Sequence, residues 1–258
     1  KITKSGTLGN KLDYGSYGSG ELPEITGKKT ITNWILHSGN IYKAAISDTV
    51  TQLYISNKLM TIARFPNVGF LKIDVGNNKL GFYDAQLNQG SGYFTGSVCK
   101  VRTVNWLYEK KTVSAFSGGI VTFSTPSINQ IFADYGYFFD NKLSFLDTGN
   151  EWFYDKAAAQ LYFYAPGGVN PNTLNVEAVT VSNGVKLNIN VANTTVQDMK
   201  LSGFSNTAVS GYTGNYNTVQ RCVINKIEKY GIEFNGIGNN VYDNEIEDVL
   251  NNAVYGTF

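Results

Sequence analysis

The sequence predicts an all-β fold whose main part is a parallel β-helix, and three observations predict it. A period of 22 to 23 residues runs through the last third of the chain, between 196 and 254. Within each period, apolar residues stand two apart, which is the spacing of a strand. The composition also favours strands and turns, since the 258 residues include 27 Gly, 17 Tyr and 15 Phe but only 5 Pro. A period of this length is typical of a solenoid.

The repeat aligns Val196, Val219 and Val241, which are 23 and 22 residues apart. Four further columns then coincide: Met199, Cys222 and Asn244; Leu201, Ile224 and Ile246; Phe204, Ile227 and Val249; Val209, Ile232 and Val254. The alternation within residues 196–201 predicts a strand there. Because one coil cannot cover its own apolar side, we expect the coils to stack these columns in a shared interior.

Asn244 interrupts an otherwise apolar column. Buried polar groups need hydrogen-bond partners, so we expect its amide to bind neighbouring backbone groups. A catalytic role is the alternative.

The order of patterns along the chain predicts three regions. Residues 1–32 read as the first coil or coils, with a strand from Gly6 to Leu12. Residues 33–173 lose the period and gain aromatic residues, which favours an inserted β-sandwich or barrel-like domain. Residues 174–258 return to the coil pattern. Because the pattern stops inside a coil, we expect further coils, with room for catalytic residues beyond residue 258.

Several classes of function are disfavoured by composition. The 21 Lys and Arg nearly balance the 20 Asp and Glu, so the sequence predicts no nucleic-acid partner. No apolar run reaches the ~18 residues of a membrane span, which predicts no membrane insertion. A single histidine and two distant cysteines predict neither a metal site nor a Ser-His-Asp triad.

Three segments carry a resemblance to known proteins. They are the Gly-rich phrase within residues 6–25, the Ala-Arg-Phe-Pro-Asn run at 63–67, and the Leu-Asp-Thr-Gly-Asn-Glu-Trp-Phe-Tyr-Asp run at 146–155 with Leu-Tyr following at 161–162. They resemble the first coil, the "ARxPN" segment and the "LDxPGEWxxD … LY" hallmark of right-handed parallel β-helix proteins among glycoside hydrolases and polysaccharide lyases. Thr148 departs from the hallmark, which commonly has a Pro-Gly pair beginning there. The resemblance implies right-handed coils with an inserted antiparallel β-domain.

The resemblance also implies a function. We expect a secreted glycoside hydrolase that binds an extracellular polysaccharide in a groove on the outer face of the coils, without a cofactor. One alternative is a polysaccharide lyase of the same fold, for which Ca²⁺ is a possible cofactor. Another is a non-catalytic adhesin or glycan-binding protein. The style of the insert is similar to surface proteins of Bacteroidetes, which implies a bacterial cell-surface location and association with the outer membrane or secretion machinery.

Glycoside hydrolysis needs two carboxylates and lyase chemistry needs a base, so outward-facing charged positions are the candidates. Alternation places Asp198, Arg221 and Asp243 in one outward file, with Glu245 close by. Asp243 and Glu245 are therefore candidate catalytic residues and Arg221 a candidate substrate-binding residue. A solvated salt-bridge ladder is the competing interpretation of the file.

A second outward face carries Glu233, in the column of Ser210 and Tyr255. Glu233 is a further candidate catalytic residue, with Tyr212 and Tyr255 as candidate sugar-binding residues.

The hallmark segments also lend themselves to structural interpretations. Arg64 is expected to form an ion pair with Asp147 or Glu151, because a guanidinium suits such positions, and contact with substrate is the alternative. Large aromatic side chains dominate burial in β-domains, so all three tryptophans are expected in the core. They are Trp34, Trp106 and Trp152.

Overall fold

The computed structural model describes residues 1–257 and confirms an all-β fold. The chain divides into two compact units. Unit one comprises Lys1–Thr30, Asp48–Leu53 and Glu177–Phe258, and unit two comprises Ile31–Ser47 and Tyr54–Val176.

The strands are short and are numbered in chain order. The first seven are β1 (Leu12–Tyr14), β2 (Glu24–Thr26), β3 (Lys28–Thr30), β4 (Ile35–Ser38), β5 (Ile41–Ala45), β6 (Gln52–Ile55) and β7 (Lys58–Leu59). The next eleven are β8 (Thr61–Ile62), β9 (Arg64–Phe65), β10 (Leu71–Lys72), β11 (Val75–Asn77), β12 (Gly81–Tyr83), β13 (Val98–Val104), β14 (Leu107–Ser117), β15 (Ile120–Phe123), β16 (Gly136–Asp140), β17 (Glu151–Asp155) and β18 (Gln160–Tyr164). The last eleven are β19 (Val176–Val179), β20 (Asn183–Leu187), β21 (Thr194–Gln197), β22 (Lys200–Phe204), β23 (Thr207–Tyr212), β24 (Thr218–Gln220), β25 (Val223–Ile227), β26 (Tyr230–Asn235), β27 (Asn240–Tyr242), β28 (Glu245–Ile246) and β29 (Asn252–Thr257).

The helical structure is confined to short 3-10 turns. These are Leu143–Phe145, Pro166–Gly168 and Pro171–Thr173. None of the helices in residues 1–257 has the length and apolar character needed to cross a bilayer.

Unit one is a β-solenoid built on three four-stranded parallel sheets. The first sheet has the order β1-β21-β24-β27, the second β2-β22-β25-β28 and the third β20-β23-β26-β29. Each coil contributes one strand to each sheet. The first coil is discontinuous in sequence, because β1 and β2 precede unit two and β20 follows it.

The predicted columns are confirmed by the register of these sheets. Leu201 pairs with Ile224 and Ile224 with Ile246, and the other apolar columns stack in the same way. The side chains of Leu201 and Ile224 are fully buried in one apolar cluster with Val196, Phe204 and other core residues. The shared interior is therefore what covers the apolar side of each coil.

The coils bend at residues with left-handed backbone conformation. Asp198, Arg221 and Asp243 have φ of 53°, 52° and 55°, one in each successive coil. They separate the first sheet from the second, so the continuous strand predicted over residues 196–201 is wrong: β21 ends at Gln197 and β22 begins at Lys200. Met199, which follows Asp198, still points into the apolar core, because Asp198 lies in the turn and not in a strand.

A ladder of buried asparagines, which we call the asparagine ladder, runs along another corner of the solenoid. Asn217 accepts a hydrogen bond from the Thr194 amide (3.1 Å) and donates to the Val191 carbonyl (2.9 Å). Asn239, 22 residues later, accepts from the Asn217 amide (2.9 Å) and donates to Gly214 (3.0 Å). Both side chains are buried. Each amide thus satisfies backbone groups of the coil before it, as buried polar groups require.

Unit one differs from its prediction in two places. The strand expected from Gly6 to Leu12 is wrong: Thr7 and Asn10 exchange backbone hydrogen bonds in a tight turn, and the strand begins only at Leu12. Residues 48–53, predicted as part of the insert, belong to unit one, where the Thr51 amide donates to the Val179 carbonyl.

Unit two is built on sheets that are antiparallel except for the parallel pair β17 and β8. A larger sheet has the order β10-β16-β13-β14-β15-β12-β11, with β9 on β16, and a five-stranded sheet has the order β4-β5-β18-β17-β8. An aromatic core lies behind the larger sheet, where the rings of Phe94 and Phe139 stack at 4.2 Å.

The tryptophan prediction is confirmed for two residues and wrong for the third. Trp34 and Trp152 are buried, whereas Trp106 is 85% exposed. Trp106 occupies the tip of the hairpin between β13 and β14, and a turn at a hairpin tip projects beyond the sheet that forms the core.

We predict that Asn217→Ala destabilises unit one by about 2–4 kcal/mol, because it removes two hydrogen bonds and strands the Thr194 amide and the Val191 carbonyl inside the fold. Chemical denaturation followed by circular dichroism measures the loss. Asn240→Ala is the matched control, since this asparagine is exposed, and should cost less than about 0.5 kcal/mol. Equal effects of the two substitutions would contradict a structural role for the ladder.

Candidate functional site

The outer face of the third sheet carries the carboxylate of Glu233. Its neighbours in register are Ser210 on β23 and Tyr255 on β29, as the column alignment predicts. Phe234, the next residue, is fully buried in the solenoid core, so the strand alternation turns Glu233 outward. The hydroxyl of Thr207 donates to the Glu233 carboxylate at 3.4 Å, which leaves a partly exposed acid on an ordered strand.

Exposed tyrosines lie on the same face of the third sheet as this carboxylate. Tyr255 is 46% exposed and lies flat against Tyr230, with ring centroids 4.5 Å apart and planes within 4°. Tyr212 is 56% exposed at the end of β23, where it pairs with Asn235. The third sheet therefore brings three predicted residues, Glu233, Tyr212 and Tyr255, onto one face.

The other three predicted residues lie elsewhere on the coils. Arg221 and Asp243 occupy the corner between the first and second sheets, and Glu245 begins β28 in the second sheet. All three are exposed. The structure thus divides the six candidates into two groups on different sheets, and their roles in binding or catalysis stay predictions.

The guanidinium of Arg221 is already engaged by an acid. Its Nε and Nη2 donate to the two carboxylate oxygens of Asp198, both at 2.7 Å, and Nη2 also donates to Gln197 at 2.9 Å. The hydrogen bonds from Arg221 lower the pKa of Asp198. This geometry is that of a salt bridge between two members of the outward file, Asp198 and Arg221.

The structural role expected for Asn244 is confirmed. Its side-chain oxygen accepts from the Cys222 amide (3.0 Å), and its nitrogen donates to the carbonyls of Val219 and Tyr242 (both 2.9 Å). All of its polar atoms are therefore used within the fold.

The ion pair predicted for Arg64 is wrong. Its guanidinium lies over the ring of Phe138, 4.0 Å from the centroid, and donates to the carbonyl of Gly69. Asp147 instead accepts a hydrogen bond from the side-chain amide of Asn67 (2.9 Å), and Glu151 accepts one from the backbone amide of Arg64 (3.2 Å). Arg64 therefore makes a cation–π contact in place of the expected salt bridge, because Phe138 on the neighbouring strand β16 lies beside β9.

Glu151 is a buried carboxyl in unit two. Burial raises its pKa to about 7, although hydrogen bonds from the amides of Arg64 and Asp147 oppose this shift. No group of three or more His, Cys, Asp or Glu side chains in residues 1–257 is arranged to hold a metal ion.

Sequence reasoning missed Tyr230, whose ring supports Tyr255, and Thr207, which orients Glu233. Alternation from the buried Ile232 assigns Tyr230 to the interior. In the structure the ring of Tyr230 nevertheless stacks on that of the exposed Tyr255.

The fold has a counterpart among solved structures. A structure named "Glycoside hydrolase" superposes on the chain with a TM-score of 0.82, covering 100% of this chain and 57% of that one, at 13% sequence identity. The chain therefore spans somewhat more than half the length of that protein and shares its fold. A xylose complex of a protein called XylC aligns with 97% of this chain and 46% of its own, at 9% identity and a TM-score of 0.46. No protein-family model matches the sequence, and a comparison with curated proteins gives no match.

We predict that the stability of unit two falls as the pH rises from about 4.5 to about 7. The unfolded Glu151 carboxyl ionises near pH 4.3, whereas the folded one keeps its proton up to about 7, so over this window the folded state binds more protons. Glu151→Gln removes this contribution and should reduce the loss of stability between pH 4.5 and 7 by about 2–3 kcal/mol. Urea unfolding at several pH values, followed by tryptophan fluorescence, measures this pH dependence of stability.

Asp134→Asn is the matched control, because this carboxyl is exposed in the same unit. The control should keep the wild-type slope. A Glu151→Gln protein with an unchanged slope would show that the buried carboxyl does not titrate in this window.

Proposed function

We propose that the protein is a secreted glycoside hydrolase acting on an extracellular polysaccharide, with Glu233 as a catalytic carboxylate. The observation that carries the proposal is the whole-chain match in fold to a structure named glycoside hydrolase. We also propose a bacterial cell-surface setting, with the outer face of the third sheet as one wall of the groove.

The surroundings of Glu233 support this assignment. A catalytic acid needs a fixed position, and the strand and the Thr207 hydroxyl supply one. Tyr212 and Tyr255 expose ring faces beside it, which suit the apolar faces of sugar rings. Glu233 would protonate the glycosidic oxygen as the bond to the leaving sugar breaks, and a second carboxylate would activate water or attack the anomeric carbon. Asp243 and Glu245 are the alternative centre, on another sheet.

We predict that Glu233→Gln lowers glycoside-bond cleavage by about 10²–10⁴-fold, because an amide cannot exchange the proton that the reaction requires. A polysaccharide panel identifies the substrate, and release of reducing ends measures the rate. Ultraviolet absorbance of unsaturated products, followed in parallel, distinguishes lyase cleavage. Glu24→Gln is the matched control, an exposed glutamate on β2 of the same unit, and should leave the rate unchanged.

Two further results decide against the proposal. Loss of activity in Asp243→Asn or Glu245→Gln together with an active Glu233→Gln would move the site to the other sheet. Binding of a polysaccharide without cleavage, in the wild type and in every variant, would favour the adhesin.

A further inference from the structure

The outer face of the larger sheet in unit two is rich in positive charge. The inward residues Cys99, Val101, Tyr137 and Phe139 are fully buried, so alternation assigns their neighbours to the opposite face. The register confirms that these neighbours share a face, pairing Lys100 with both Lys110 and Phe138 and Arg102 with Tyr108. Five cations from strands β9, β10, β13 and β14 lie there: Arg64, Lys72, Lys100, Arg102 and Lys110. We call this surface the basic face.

Little negative charge opposes these cations. Asp140 is the single acid among the strand residues of the basic face, and it is buried. Lys100 pairs with it at 2.5 Å. Lys72 and Lys110 are exposed. The basic face therefore keeps an excess of positive charge, although the whole chain carries a formal net charge of only +1.

Phe138 holds two of the cations in place. Arg64 lies 4.0 Å and Lys100 5.2 Å from the centre of its ring. A guanidinium fixed in this way can still offer N–H groups to a carboxylate or a sulfate. The cations of the basic face are thus partly preorganised, which lowers the entropy cost of binding.

Two exposed rings lie beside these cations. Phe70 and Tyr108 are 56% and 46% exposed, with ring centroids 5.7 Å apart and tilted by 37°. They lie over Gly136, where a side-chain carbon would be 3.5 Å from Phe70 and 3.7 Å from the Tyr108 hydroxyl. Together they form a platform about the size of one sugar ring.

We infer that the basic face is a second glycan-binding site, which takes an acidic oligosaccharide bearing uronate or sulfate groups. The rings of Phe70 and Tyr108 contact the C–H face of one sugar, while Arg64, Lys72 and Lys110 contact the anionic groups of that sugar and its neighbours. This site lies wholly within unit two and does not depend on the assignment of Glu233.

An acidic glycan fits the basic face better than a nucleic acid does. Nucleic-acid-binding domains are typically strongly basic as a whole as well as on one face, and this chain carries a net charge of only +1. The combination of an exposed ring pair with a few cations matches a ligand that has both apolar faces and spaced negative charges.

We predict that Tyr108→Ala combined with Lys110→Ser weakens binding of an acidic oligosaccharide by about tenfold or more, because it removes one ring and one cation of the site. Isothermal titration calorimetry on the full chain measures the affinity for four probes: tetragalacturonate, a chondroitin sulfate tetrasaccharide, neutral galactotetraose and single-stranded oligothymidine. The first two probes separate carboxylate from sulfate recognition. Added salt should weaken acidic binding to the wild type.

The matched control combines Tyr17→Ala with Lys156→Ser, two exposed side chains outside the basic face, and should bind as the wild type does. Glu233→Gln should also keep the binding, which separates this proposal from the catalytic one. The inference is overturned if neither acidic probe binds at least tenfold more tightly than galactotetraose, if the control loses as much affinity, or if oligothymidine binds most tightly.

Discussion

The stacking of equivalent residues in successive coils is the constraint on which unit one depends. Each strand is only three to six residues long across β21 to β26, too short to be stable alone. Leu201 and Ile224 have an apolar environment only because the coils on either side supply it. The asparagine ladder extends the same dependence to polar groups, since each amide satisfies the backbone of the coil before it. Each coil is therefore stabilised by its neighbours, through the apolar columns and through the asparagine ladder.

This constraint is also what places functional groups on the surface. A fixed interior column forces the alternate residues outward in a fixed row, so a side chain such as Glu233 is positioned by residues that it never touches. In unit two the same logic applies to antiparallel strands, where the buried Val101 and Phe139 fix the outward direction of Lys100 and Phe138. Rigid rows of outward side chains suit extended, repeating ligands such as polysaccharides.

Much of the fold could be predicted from the sequence because the solenoid repeats its apolar pattern. The corner at Asp198 escaped prediction, because a single left-handed residue leaves the apolar spacing intact. The exposure of Trp106 and the packing of Arg64 on Phe138 depend on neighbours that are distant in sequence. Of the candidate site, the column of Glu233 and Tyr255 was predictable, whereas its support by Thr207 and Tyr230 depends on side-chain contacts between coils that the apolar pattern does not reveal.

The most direct test of this account is a measurement of methyl–methyl nuclear Overhauser effects in selectively labelled protein. Stacked coils predict cross-peaks between Leu201 and Ile224 and between Ile224 and Ile246, because adjacent parallel strands lie about 4.8 Å apart. The pair Leu201 and Ile246, two coils apart, should give a far weaker signal. Absence of both neighbouring cross-peaks would contradict the stacked architecture of unit one and, with it, the outer face proposed for catalysis.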